Sequence, residues 1–421
     1  MSDDSGQRPW YRKLHWQILI AMGAGIAAGA LGGAPLAARV GWLGTLFITL
    51  LKMVVVPLVL ASIISGVGSV GGGAAFGRLF GKTLGFYLLS SLLAILVGLA
   101  LTNLIRPGES LDLSAAASEA LPEGLATSSS LPDLLLGMVP ENVIAAAARS
   151  DLLAVIVFAI LFGIAAGGLP EGPRSTLLGF FDSLSQAMLR LTGMVLALAP
   201  IGVFGLVARA VATFGVSAFQ AMLLYMVTIA LGLAIHFFGT LPALLRLFGR
   251  IDPRIHYRNV AEPMAIAFST SSSAATLPST LRAVEHRVAA SRRVTSFVLP
   301  MGATVNMDGT ALYECAGVLF IAQALGVDLS FAQQAVVVFT ALLASIGAAA
   351  VPSAGLVIIF IVLEAVGLRG PQVEALVGFM LAVDRPLDMA RTAVNVTSDT
   401  CAAAIIARSE GERVDEAVIE G

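Results

Sequence analysis

Long apolar stretches, each near the roughly 20 residues needed to cross a bilayer, recur along this chain with short polar breaks between them. They lie at about 15–34, 42–70, 84–105, 152–169, 189–213 and 217–246 and predict six membrane-spanning helices. A shorter helix around 131–147 joins the fourth span. Residues 106–130, with Glu109, Asp112, Glu119 and Glu123 among Ala and Ser, predict an exposed loop. Two later apolar segments are interrupted midway. The first, about 257–290, is broken by Ser269 to Pro278; the second, about 331–366, is broken by Ser345-Ile346-Gly347 and Val351-Pro352-Ser353-Ala354-Gly355. Each half is too short to cross, so the pattern predicts re-entrant hairpins entering from opposite sides, the mark of an inverted repeat. Kinked full-length helices packed through Ser and Gly are the alternative.

Polar residues inside the apolar pattern locate candidate chemistry. Asn306-Met307-Asp308-Gly309-Thr310 interrupts the apolar stretch Phe297 to Ala324. An ionised side chain near the bilayer centre costs roughly 2.5–3.5 kcal/mol on insertion scales, so its retention points to an ion or polar solute. Gly309 is read as keeping the helix open there. The last helix is apolar from about 376 to 407 except for Asp384, Arg385, Asp388, Arg391, Thr392, Asn395, Thr397, Ser398 and Asp399. Asp384, Asp388, Arg391, Thr392, Asn395 and Asp399 fall within a stripe of about 100° on a helical wheel. Its four ionisable groups would cost on the order of 10 kcal/mol against lipid, so the stripe faces the protein. An internal salt-bridge ladder is the structural alternative, which the stripe's negative balance disfavours.

Composition agrees with a polytopic membrane protein. The 421 residues are 57% hydrophobic and 12% charged, with a mean hydropathy of +0.90. A net charge of −2 carries no sign of a nucleic-acid partner. Cys315 and Cys401 lie in apolar segments and read as buried thiols. Of the four histidines, only His256 and His286 lie near the motifs. No Ser/His/Asp or metal-hydrolase pattern is present, which argues against an enzyme. The polar start through Lys13 runs directly into the first span, with no signal-peptide pattern. Basic residues precede span one, follow spans two and six and close the chain, while the loop after span three is acidic. The positive-inside rule then places both termini in the cytoplasm, as expected for a multi-pass protein of the cell (inner) membrane.

The motifs resemble the dicarboxylate/amino acid:cation symporter family, which includes glutamate and aspartate transporters and the excitatory amino-acid transporters. They are Ser271-Ser272-Ser273-Ala274-Ala275-Thr276-Leu277-Pro278, Gly302 to Thr310, Ser345-Ile346-Gly347 with Val351 to Gly355, and Asp388 to Asp399. Leu51-Lys52-Met53 and Pro57 also resemble it, so the likeness covers nearly the whole chain. It implies an all-α fold of eight transmembrane helices plus two re-entrant hairpins. The implied order is a cytoplasmic N-terminus (1–14), scaffold helices one and two (15–70), transport helix three (84–105), an external loop (106–130) and scaffold helices four and five (131–213). A transport domain follows at 217–408, with hairpin one at 257–290, helix seven at 294–325, hairpin two at 331–366 and helix eight at 371–408; a cytoplasmic tail (409–421) ends the chain. A homotrimer moving its transport domains as elevators is implied as well.

By the same resemblance, Arg391 pairs with the side-chain carboxylate of an acidic amino acid, and Asp388 takes its ammonium. Thr392, Asn395 and Thr310 line the site, and Ser272, Ser273, Val351 and Gly355 of the hairpin tips close it. One Na⁺ set uses Asp399 with backbone oxygens of Gly302, Asn306 and Asn395. A second uses backbone oxygens of Thr304, Ser345 and Ile346 beside Met307. A third uses Asp308 and Asn306 with Tyr87, Ser90 and Ser91, a Ser pair that by itself would only bond back to its own helix. Oxygen ligands suit a hard cation. Glu314, one turn past Thr310, is implied as a proton carrier, with K⁺ counter-transport; a protonated structural Glu is the alternative.

The chain departs from its relatives at several positions. It has Ser271 and Met389 where some carry arginine, Ala274 and Ala275 where some carry smaller or more polar residues, and Ser353 and Ser398 where glycine is frequent. The expected activity is sodium-coupled symport of glutamate or aspartate. The alternatives are a C4-dicarboxylate or neutral amino-acid carrier of the same fold, or an anion channel.

Overall fold

The structure is a computed structural model that describes residues 14–68, 74–111, 139–149, 152–214, 218–346 and 354–415. Among these the regular structure is helical, with no strand. Most of loop 106–130, the hairpin-two tip with Val351, and the extreme termini lie outside the described residues.

Helix α1 (Leu14–Gly68) contains both of the first two predicted spans. Gly33 breaks it, at φ 53° and ψ −157°, a conformation that glycine takes without penalty. Pro35 then restarts the helix, its fixed φ and missing N–H costing nothing at a first helical turn. The expected seven-residue link is therefore a single kink. Helix α2 (Ala74–Ile105) begins ten residues before the predicted span three and ends in a short 3₁₀ turn at Pro107–Ser110. Helices α3 (Val143–Ala148) and α4 (Leu152–Gly167) follow.

The fifth predicted span is corrected most. Helix α5 (Glu171–Leu196) starts well before residue 189 and meets α6 (Ala199–Phe214) at a 54° bend. Glu171, Arg174 and Asp182 hid its first turns from a search for apolar runs. Pro200, which disfavours helix in the residue before it, marks the bend. Helix α7 (Ala218–Ile235) runs on to Gly249 through two π-helical turns, His236–Thr240 and Leu245–Gly249. Such turns accommodate an extra residue and are frequent at functional sites.

The segment predicted as hairpin one holds α8 (Pro253–Asn259) and α9 (Ala261–Thr270), followed by α10 (Ser273–His286), which packs on α9. The chain reverses at Ser271 (φ 52°), and the Ser272 Oγ caps α10 by accepting from the Ala275 N–H at 3.2 Å. Predicted helix seven is two helices, α11 (Arg292–Val305) and α12 (Asp308–Ala324), with the break at Asn306-Met307. The segment predicted as hairpin two holds α13 (Phe331–Ile346) and α14 (Ala354–Ala365), which pack on each other. The last helix, α15 (Pro371–Ser409), is continuous over 39 residues.

These helices pack in two groups. Helix α1 packs mainly on α6, α4 and α5. At Gly29 a Cβ would lie 2.7 Å from the Ala208 carbonyl, so glycine permits this close approach. In the second group α12 packs on α2, and α9, α11 and α12 pack on α15. Almost every residue of α12 is buried, which makes it the centre of that group. Past the end of α15, Glu410 accepts from Arg78 at 2.7 Å and Lys82 at 2.6 Å. Those bonds pull its carboxyl down to about 2, keeping it ionised at neutral pH. Asp415 bonds His256 and Asn259, both at 2.8 Å. The C-terminal segment thus ties α2, hairpin one and α15 into one body.

Leu31, Leu104 and Leu247 are 75–90% exposed, as lipid-facing side chains are. Among the described residues, four helical stretches are long and apolar enough to cross a membrane: Trp16–Gly33, Pro35–Gly68, Arg78–Ser110 and Gln220–Gly249. The bent pair α5–α6 forms a fifth.

Candidate binding and cation site

The helix-eight stripe is turned inward and meets the α11–α12 break and the start of α14. Arg391 is 1% exposed and is the largest fully buried side chain. Its Nη2 donates to Asp384 Oδ1 and Asp388 Oδ1, each at 2.9 Å, and Arg385 reaches Asp388 at 3.5 Å. The ladder weighed as an alternative is therefore real. It leaves Arg391 Nε and Nη1 without a hydrogen-bond partner among the described residues. The guanidinium lies over the Tyr313 ring at 3.8 Å. A Cβ on Gly355 would come within 3.1 Å of Nη1 and 3.2 Å of the Thr310 methyl, so the missing side chain keeps this edge open. Buried guanidinium N–H groups are costly to leave unmade. The Nη1 donors beside a glycine suit a carboxylate oxygen.

Around this edge, Thr392 Oγ1 donates to the Asp388 carbonyl at 2.8 Å. Asn395 accepts from Gly309 N at 2.7 Å and donates to Thr310 Oγ1 at 3.2 Å and Met307 Sδ at 3.4 Å. Gly309 does not serve to hold the helix open. A Cβ there would meet the Arg391 carbonyl at 2.8 Å, so the glycine lets α12 and α15 touch. Ser273 is buried at the start of α10, and Ser272 spends its hydroxyl on the cap.

One turn deeper, Asn306 Nδ2 donates to Asp399 Oδ1 and Ser398 Oγ, both at 2.9 Å. Its Oδ1 is buried and has no partner among the described residues. Ser91 donates to Asp308 Oδ1 at 2.7 Å, Ser90 donates to Oδ2, and Ser90 and Ser398 are 3.1 Å apart. At Gly302 a Cβ would overlap Asp399 Oδ1 at 2.4 Å and the Tyr87 hydroxyl at 2.7 Å. Oxygens of Asp308, Asp399, Asn306, Ser90 and Ser91 thus converge with an orphaned amide oxygen among them. That donor set fits a hard monovalent cation.

The hydroxyls of Thr304 and Ser345, whose backbone oxygens were the expected ligands, bond back to the Met301 carbonyl at 3.1 Å and the Leu342 carbonyl at 2.9 Å. The arrangement differs from the expectation in two respects. The Tyr87 hydroxyl donates to the Val298 carbonyl at 2.7 Å rather than turning to Asp308. Second, His236, set aside in the sequence, lies at the π turn of α7 with Nε2 3.0 Å from Asp308 Oδ2, both side chains fully buried. A lone ionisable residue mid-span was the signal that could have found it. The two histidines singled out instead lie elsewhere: His256 faces Asp415 and Thr400, and His286 is exposed. Glu314 is fully buried, and neither carboxyl oxygen has a partner among the described residues.

Broken helices that meet at a buried polar centre inside an apolar helical body define the class as a secondary membrane transporter. The chain belongs to the sodium:dicarboxylate symporter family, which it matches over residues 14–409. It is 35% identical over 412 residues to the proton/glutamate-aspartate symporter of Escherichia coli K12, covering 94% of this chain and 93% of that one. It is 32% identical over 410 residues to the proton/sodium-glutamate symport protein of Bacillus caldotenax, covering 96% of each. It is also 33% identical over 412 residues to C4-dicarboxylate transport protein 3 of Bradyrhizobium diazoefficiens, covering 96% of this chain and 90% of that one.

Proposed function

We propose that this protein is a sodium-coupled symporter for L-glutamate or L-aspartate in the cell (inner) membrane, with both termini cytoplasmic, eight crossings and two hairpins. The carrying observation is Arg391, buried with Nη1 and Nε unpartnered among the described residues and Nη1 at the Gly355 gap. An acidic side chain fits those donors. Asp388, already beside the guanidinium, would take the ammonium, a group that a plain C4-dicarboxylate lacks. Thr310, Thr392 and Asn395 would hold the remaining oxygens, with the tips carrying Ser272, Ser273 and Val351 as covers. Titration of the purified protein with aspartate tests this: affinity at least tenfold higher in sodium than in choline supports it, and equal affinity contradicts it.

Na⁺ bound at the inner centre would be held by Asp308, Asn306 and Asp399 with Ser90, Ser91 and backbone oxygens of Gly302 and Asn395. A second ion would use Thr304, Ser345, Ile346 and Met307 once the hairpins close. The cation's charge would relieve the carboxylates, and closure over solute and ion together would couple the two. Two sodium ions with one monoanion, at tenfold gradient and 100 mV, supply about 5 kcal/mol, or several-thousand-fold accumulation.

Both proton-named and sodium-named relatives occur, and Glu314 is our proton carrier. A carboxyl buried without a partner is cheapest in its neutral form. Glu314→Gln keeps the shape and removes the exchangeable proton. We expect uptake to persist while substrate-driven acidification of the vesicle lumen, and any K⁺ exchange, disappears; unchanged acidification in this variant excludes Glu314.

The elevator reading is supported by depth. Lys52 lies midway along Pro35–Gly68, yet it pairs at 2.6 Å with Glu374, in the first turn of α15. The end of the moving body therefore rests near the middle of a scaffold span. Helices α1 and α3–α6 would form the scaffold of a homotrimer, and the remainder the moving part. Cysteines at 52 and 374, bridged by mercury, should trap this position and reduce uptake at least tenfold, with recovery on adding thiol. Efficient bridging without loss of uptake contradicts the movement.

A further inference from the structure

Outside the polar centre, a partly buried arginine of the scaffold has no counter-charge among the described residues. Arg209 lies on α6, five residues before Phe214, where that helix ends. Its guanidinium makes no hydrogen bond or ion pair with any described residue. An arginine cannot shed its proton, so at this depth the charge must reach water or an anion.

The surroundings form a hollow. Ala37, Ala38, Gly41, Trp42, Thr45, Arg209 and Ala212 line a cavity of about 380 Å³ on the outside of the scaffold. Small residues leave the space, and at Gly41 a Cβ would already stand 3.6 Å from Arg209 Cδ. Trp42 is 61% exposed at the mouth. Tryptophan concentrates at the membrane–water interface, at headgroup level. The helix ends give the same depth: at 1.5 Å per residue, Arg209 lies about 7–8 Å below Phe214, and Trp42 about 10 Å below Pro35. Both ends are on the side of the α1 kink. A guanidinium, a threonine hydroxyl and a tryptophan around a hollow at that level match the phosphate of a lipid, with acyl chains running down the exposed scaffold face.

We propose that Arg209 and this hollow hold the phosphate of an anionic phospholipid from the leaflet on the side of the α1 kink. The site is independent of the solute site and of the elevator reading. Native mass spectrometry after a graded detergent wash, with phosphatidylglycerol added back, tests it. The wild type should retain one lipid per chain, and Arg209→Gln at least fivefold less. Ala38→Leu, which fills the hollow and keeps the charge, should lose the lipid as well, and it decides the matter if Arg209→Gln fails to fold. Equal retention in Arg209→Gln and wild type overturns the proposal. So does displacement of the lipid by millimolar inorganic phosphate, which would mark a free-anion site, or a crosslink showing Arg209 against a carboxylate of a second copy.

Discussion

Replacing Arg391 with Cys is expected to abolish uptake of aspartate or glutamate. Truncating one partner of a buried, hydrogen-bonded charge pair costs roughly 2–5 kcal/mol, which is about 30-fold to several-thousand-fold in apparent affinity. The effect belongs at the upper end, because the guanidinium also neutralises Asp384 and Asp388, both within 2.9 Å. Removing it leaves two carboxylates buried side by side and repelling an anionic solute. Arg391→Lys separates charge from shape. It keeps a cation but cannot bond Asp384 and Asp388 through one nitrogen while presenting another at Gly355, and we expect it to lose at least tenfold. Thermal melting of both variants in detergent shows whether each is folded. A folded Arg391→Cys protein with unchanged uptake would remove the basis for an acidic substrate.

Asp308→Asn is expected to have the second largest effect, on the cation dependence. Asp308 gathers Ser90, Ser91 and His236 around one carboxylate. The amide is the same size, but it brings no charge and turns a donor toward other donors. We expect transport to fall about 100-fold, equivalent to about 2.7 kcal/mol, and the Hill slope for sodium to drop by about one ion. Ser91→Ala should be milder, since one ligand is lost and the charge stays. If Asp308→Asn keeps full, equally steep sodium dependence, the cation centre lies elsewhere.

The sequence reached the helical membrane class, and it singled out the breaks at Ser271 and at Asn306-Met307 and the buried stripe of the last helix, because apolar length and buried charge follow from the bilayer itself. Its errors have local causes. Helix α5 was cut short because Glu171, Arg174 and Asp182 make its start too polar for an apolar-run search. The link after Gly33 disappeared because Pro35 is as good a helix starter as it is a breaker. His236 was missed because it lies far from the motifs in sequence, and its place as a lone ionisable residue within an apolar span was passed over. The Asp384–Arg391–Asp388 ladder was visible as a stripe, but which oxygen of the stripe holds Arg391 depends on rotamers. Sites that join distant helices, as Ser90 and Ser91 join Asp308, could be assigned only through family resemblance. The role of Gly309 was misread because a close approach to another helix leaves no trace in its own segment.

The central claim is that an inward sodium gradient drives an acidic amino acid through the Arg391 site. Radiolabelled aspartate uptake into proteoliposomes, with sodium inside and outside set independently, measures it most directly. The account predicts concentrative uptake only with an inward sodium gradient, inhibition by unlabelled aspartate and glutamate, and little inhibition by succinate. Uptake that is unchanged when choline replaces sodium, or that succinate blocks as well as aspartate does, would contradict it.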